Sequence, residues 1–202
     1  MTDETSDGPL RSDARRNRRT VLDAAVALLA HRPQATMQEV ADASGLGRTT
    51  VYRHFPRRQD LIDALYDEVL RESGQTVREA IEQADNARQL LCDLGERVIA
   101  IGDRYRFLDA HPELRDRTLS GAGQDQGQDP LQTYLDEAQE RGEVRSDLPV
   151  SWMLATMRGL AVVAMVEVAA GRMDVEEAGR HVGETCASAF ADPRPRVSAG
   201  GK

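Results

Sequence analysis

The chain has 202 residues, 40% of them hydrophobic and only 4% aromatic, a length that accommodates one large core or a small domain joined to a larger one. Few stretches alternate with period two, which excludes a sheet-based core and predicts an all-α chain. The formal net charge of -8 would argue against a nucleic-acid partner if it were evenly spread, but residues 11–58 hold ten arginines against four acidic side chains, and residues 61–202 hold 16 basic against 26 acidic; a basic end on an acidic body suits a protein that presents that end to a polyanion.

Residues 1–11 begin MTDETSDGPL, acidic and without an apolar core, so they form no signal peptide and are expected to be a disordered lead-in. The first helix is predicted over residues 12–31, where Val21, Ala24, Ala25, Leu28 and Leu29 recur at helical spacing. Its opening turns carry Arg15, Arg16, Arg18 and Arg19, side chains that suit phosphate contact and are otherwise solvated. Pro33 ends it, because the residue before a proline is pushed out of the α region.

The stretch TMQEVADASGLGRTTVYRHFP, residues 36–56, reads as helix, turn, helix. Thr36 followed by Glu39 is a capping box. Met37, Val40 and Ala41 share one face, and Gly45 supplies the turn. A helix over about residues 48–55 buries Val51 and Phe55 and turns Arg48, Thr49, Thr50, Tyr52, Arg53 and His54 outward. Arginine grips guanine or phosphate, threonine offers a hydroxyl and a methyl, and tyrosine donates to phosphate. By spacing alone the same face also fits a solvated surface helix. Pro56 suits the start of a fourth helix with a Leu61, Leu65, Val69 stripe. Arg57 and Arg58 in its first turn oppose the helix dipole, a cost that makes sense beside a phosphate.

RRTVLDAAVALLA followed by ATMQEVADASGLGRTTVYRHFPRRQDLIDAL resembles the DNA-binding domain of the tetracycline repressor (TetR) family of bacterial transcriptional regulators, over about residues 15–65. The Leu-Gly-Arg turn, Val-Tyr-Arg-His-Phe and the downstream Arg-x-x-Leu carry the resemblance. It implies a dimeric all-α regulator: an N-terminal three-helix DNA-binding domain with a helix-turn-helix over residues 12–58, an effector-binding and dimerisation domain over residues 59–191, and a disordered tail over residues 192–202. It further implies DNA contacts by Thr36, Arg48, Thr49, Thr50, Tyr52, Arg53, His54 and Arg58, which join Arg15, Arg16 and Arg19, read as phosphate contacts from their place in the first helix. Gly47 stands where the family often has a capping serine, and Pro33 near where glycine usually ends the first helix.

In the body, helix 4 is expected to continue through Val77 and Ile81, weakened at Gly74. A buried central helix carries Leu91, Leu94, Val98, Ile101, Tyr105 and Leu108, followed by a short sixth helix over residues 112–119. Residues 121–129, GAGQDQGQD, read as a mobile loop. A seventh helix over residues 130–141 ends at Gly142. Residues 152–170 are apolar nearly all round, but Arg158, Gly159 and Glu167 within them argue for a soluble helix with one side on the core and one on a partner subunit, not for a membrane span. With a ninth helix over residues 175–190 it would form a four-helix dimer interface, assigned to Val162, Met165, Val182, Cys186 and Ala189. Tyr105, Phe107, Trp152, Met153 and Met157 are the candidate pocket for an apolar small-molecule effector of unknown identity; core packing is the competing role for each.

Cys92 and Cys186 lack metal-ligand or CxxC spacing, and His111 and His181 have no partners at ligand spacing, so no metal or cofactor is expected. No phosphate loop, nucleophile triad or HExxH motif is present, and no catalytic residue is assigned. The partners expected are operator DNA, a second copy of the chain and the effector, with no membrane and a cytoplasmic location. A small all-helical enzyme and an effector-independent DNA-binding protein are the alternative readings.

Overall fold

The structure is a computed structural model and describes residues 9–120 and 129–192. Among the described residues there are nine α-helices, one short 3-10 helix and no strand beyond an isolated bridge between Val144 and Ala191. The chain forms two compact units, Met1–Glu68 and Val69–Lys202.

The first unit contains α1 (Pro9–His31), α2 (Met37–Ser44), α3 (Arg48–His54) and the first turns of α4 (Arg58–Gln83). Helix α1 begins three residues earlier than expected, at a proline whose fixed φ and missing N–H suit a first turn. Residues 9–11 are therefore helical, while the rest of the expected lead-in lies outside the described residues. Val21, Leu22, Ala25, Leu29, Val40, Ala41, Val51, Phe55, Leu61 and Leu65 are buried. The capping box is present: the Thr36 N–H donates to a Glu39 carboxylate oxygen at 2.7 Å, and the Glu39 N–H donates to Thr36 Oγ1 at 3.3 Å. Gly45 closes α2 at φ 68°, a left-handed conformation that glycine adopts without strain. Helix α4 starts at Arg58, not at Pro56. Asp60 in its first turn accepts from the Arg57 N–H at 2.8 Å and from the Arg57 guanidinium at 2.6 Å, so a carboxylate answers the cations there.

The second unit holds the remainder of α4, α5 (Ala87–Arg104), the 3-10 helix Arg106–Ala110, α6 (Pro112–Ser120), α7 (Pro130–Glu140), α8 (Val150–Ala169) and α9 (Val175–Phe190). Gly74 leaves α4 uninterrupted. The expected single helix through Tyr105 and Leu108 is corrected. Helix α5 ends at Arg104, and the tighter 3-10 turn that follows keeps Phe107 and Leu108 buried, which is why the apolar rhythm outlasts the helix. Gly142 follows α7 at φ 67°, as expected for a glycine ending a helix. Residues 121–128 of the expected loop and 193–202 of the expected tail lie outside the described residues.

Helices α5 and α9 approach backbone to backbone. A Cβ built on Gly179 would lie 2.7 Å from Glu96 Cα, and one on Gly183 would lie 2.6 Å from the Cys92 carbonyl oxygen. Around this pair the apolar core forms two clusters. One gathers Leu90, Leu91, Leu94, Leu135, Met153, Cys186 and Phe190; the other gathers Ile99, Ala164, Val168 and Ala178. By length and composition α8 could cross a membrane. Much of it is uncovered within one chain, with Trp152, Val163 and Val166 exposed.

Candidate nucleic-acid interface

Helix α3 buries Val51 completely, and Phe55, at its C-terminal cap, is 1% exposed. That anchoring fixes the opposite face: Arg48, Thr49 and Arg53 are exposed, and Thr50 and Tyr52 half-buried. The Arg48 guanidinium carbon lies 5.2 Å from the centre of the Tyr52 ring, one turn along the helix. A stacked guanidinium keeps its N–H edge free while losing rotamer freedom, so the pair offers an oriented cation. Gly47 caps α3 without any side-chain bond.

The other expected contact residues are less uniform. Thr36 is exposed but engaged in its cap. The hydrogen bonds from Thr36, ahead of that from Arg32, hold the Glu39 carboxyl below its ordinary value. Arg15 and Arg16 are exposed, the latter 3.7 Å from Asp13. The Arg19 guanidinium is shared between Asp23 at 2.9 Å and Glu68 at 2.5 Å. The pairs with Asp13 and Asp23 lie at the surface, where such pairs are weak and exchange readily for a phosphate.

Two residues depart from the outward placement. His54, the last residue of α3, is half-buried beside the Phe55 ring, and its Nε2 is enclosed without a hydrogen-bond partner. Burial, then the charges of Arg53 and Arg18, push its imidazole below the usual histidine range. Arg58 is half-buried, and its guanidinium donates to the carbonyl oxygens of Ala35 and, at 2.7 Å, Pro33. It ties the start of α4 to the turn that presents Thr36. Arg18, grouped by its sequence position with the arginines suited to phosphate contact, places its guanidinium carbon 5.3 Å from the centre of the Phe55 ring. The signal for this ring contact was its position one turn ahead of Val21 and Leu22.

In the body, Tyr105 and Phe107 are buried with ring centres 6.3 Å apart. The Tyr105 hydroxyl donates to Glu72 at 3.3 Å, and Arg104 donates to the same carboxylate at 2.6 Å. Met153 is fully buried and Met157 packs on the same cluster. Trp152 does not join them. It is 60% exposed because neighbours on a helix point roughly 100° apart. The dimer-face assignment is also corrected in part. Cys186 is 1% exposed inside its own chain, Val182 packs on the core clusters, and Met165 lies against Gly102 of α5. The small face of α9 turns toward α5 and carries Cys186 with it; burial there pushes the Cys186 thiol up to about 11. Val162 is half-buried and Ala189 exposed. The uncovered apolar stripe is Trp152, Val163 and Val166.

Residues 21–65 match the family described as bacterial regulatory proteins, tetR family. The HTH-type transcriptional repressor LfrR of Mycolicibacterium smegmatis is 31% identical over 137 residues, which are 68% of this chain and 71% of that protein. Among solved structures, the TetR-like transcriptional regulator LfrR from Mycobacterium smegmatis in complex with proflavine is 25% identical, with a TM-score of 0.64 over 88% of this chain and 98% of that one. A putative TetR-family transcriptional regulator from Rhodococcus sp., 20% identical, shares the fold with a TM-score of 0.65 over 87% of this chain and 98% of its own.

Proposed function

Since this chain belongs to the TetR family of bacterial transcriptional regulators, we propose that it is a cytoplasmic, ligand-responsive repressor that binds a palindromic operator as a homodimer. The observation that carries this reading is α3. Its buried Val51, with Phe55 at its end, holds an outward set of Arg48, Thr49, Thr50, Tyr52 and Arg53 on a short helix with little structural use for them. Two such helices in a symmetric dimer enter successive major grooves, so their separation must match the helical repeat of DNA. The exposed Trp152, Val163 and Val166 stripe of α8 offers the apolar face that a second copy would cover. A relative crystallised with proflavine supports a small-molecule effector. Moving the population of DNA-binding states from 1:99 to 99:1 requires such an effector to prefer the released state by ~5.5 kcal/mol. The test is a titration of purified protein against duplex DNA across salt. A steep loss of affinity with rising salt, and loss of operator binding in Arg48→Ala and Tyr52→Ala, is the expected outcome; a flat salt dependence would sink the assignment.

A further inference from the structure

We propose that Arg158 is the counter-ion for an anionic effector, an organic carboxylate or sulfonate on an apolar body. The proposal rests on the ligand-responsive reading above and adds the chemical class of the ligand. Over residues 150–166 helix α8 contains one charged side chain, Arg158. Its Nε is enclosed and has no hydrogen-bond partner. An N–H shut away from water without an acceptor costs free energy, so native structures rarely keep one without a reason. The next charged residue along the helix cannot serve, because Glu167 is held by Arg172 at 2.5 and 2.6 Å.

The placement of Arg158 points the site into the protomer. At roughly 100° per residue it stands ~20° from Met165 and ~40° from Leu154, but ~120° from Trp152 and ~140° from Val163. Met165 turns to α5, where a Cβ on Gly102 would meet its sulfur at 3.0 Å, and Leu154 is buried. Arg158 thus shares the flank of α8 that faces its own chain. It also marks the border between the two core clusters: Met153, Leu154, Met157 and Leu160 belong to one, and Ala161, Ala164, Met165 and Val168 to the other. A guanidinium is donor only, so its partner must be an acceptor, and a carboxylate or sulfonate answers both its charge and its planar fork. The thioethers and methyls on either side suit an apolar remainder of adaptable shape.

The test uses two fluorescent probes of nearly the same shape, anilinonaphthalene sulfonate and uncharged phenylnaphthylamine, titrated against the full-length chain. We expect the sulfonate to bind at least ~10-fold more tightly, the scale of one buried charge-assisted hydrogen bond. Arg158→Met should abolish that preference while leaving phenylnaphthylamine binding within about 2-fold, since it removes the charge and keeps the bulk. Arg158→Lys, which keeps the charge, should retain part of the preference and stands in if the methionine variant does not fold. Equal affinities in the wild type, or a preference that survives Arg158→Met, would overturn the proposal and leave the ligand-responsive reading intact. Binding of neither probe would count against both. Dimer dissociation in Arg158→Met without any sulfonate preference in the wild type would assign the guanidinium to a partner-subunit carboxylate instead.

Discussion

Arg58 directs its guanidinium at main-chain carbonyls of its own domain. Its guanidinium holds the carbonyls of Pro33 and Ala35, directly ahead of the Thr36 cap, and we propose that it acts on the interface through the turn it braces. Arg53 is exposed on α3 and meets no such restraint from that turn. Replacing Arg58 by Met is therefore expected to lower both thermal stability and operator affinity while leaving the slope of log affinity against log salt unchanged. Arg53→Met should reduce that slope by ~0.9, the signature of one lost phosphate contact. Fluorescence anisotropy across a salt series measures both, and a reduced slope in Arg58→Met would place its guanidinium on a phosphate. The motif spacing identified Arg58 as a basic residue at the right place. It could not reveal the rotamer, because main-chain carbonyls and phosphate oxygens are both acceptors within a guanidinium's reach.

Among the elements, the α5–α9 pair is the most exacting. The two helices meet through Gly95, Gly179 and Gly183, and a Cβ on Gly95 would fall 2.5 Å from the Gly179 carbonyl oxygen. Alanine favours a helix over glycine by ~1 kcal/mol, but here the clash is with backbone, which cannot swing aside as a side chain would. Gly95→Ala is expected to destabilise the protein by a net ~1–3 kcal/mol in urea denaturation; unchanged or increased stability would show that the helices part at little cost. This contact also explains where sequence reading succeeded and failed. The helices themselves were legible from capping residues and apolar spacing, as at Thr36 and in the Leu91, Leu94, Val98 and Ile101 series. The orientation of α9 was not, since glycine contributes nothing to an apolar stripe although it forms the closest packing. Cys186 was accordingly assigned to the wrong side. Helix α8 raised the opposite difficulty: apolar all round, it gave no phase by which to separate Met153 in the core from Trp152 at the surface.

At the scale of the molecule, the uneven charge of the chain gives the two units different tasks. The arginine-rich first unit presents α3 and the opening turns of α1, and the acidic second unit is disfavoured near DNA by its own charge. That asymmetry was readable from the sequence alone, because long-range electrostatics depends on the number and sign of charges more than on their rotamers. The exposed stripe of α8 was visible only once the helices were packed. Both features fit two copies of α3 reading a symmetric site. The direct measurement is selection of bound duplexes from a random-sequence pool by the purified full-length chain, followed by sequencing. Enrichment of an inverted repeat whose half-sites lie about one helical turn apart, centre to centre, or a multiple of it, is the expected result; enrichment of a single asymmetric site, or no enrichment over the input pool, would rule out paired reading by α3.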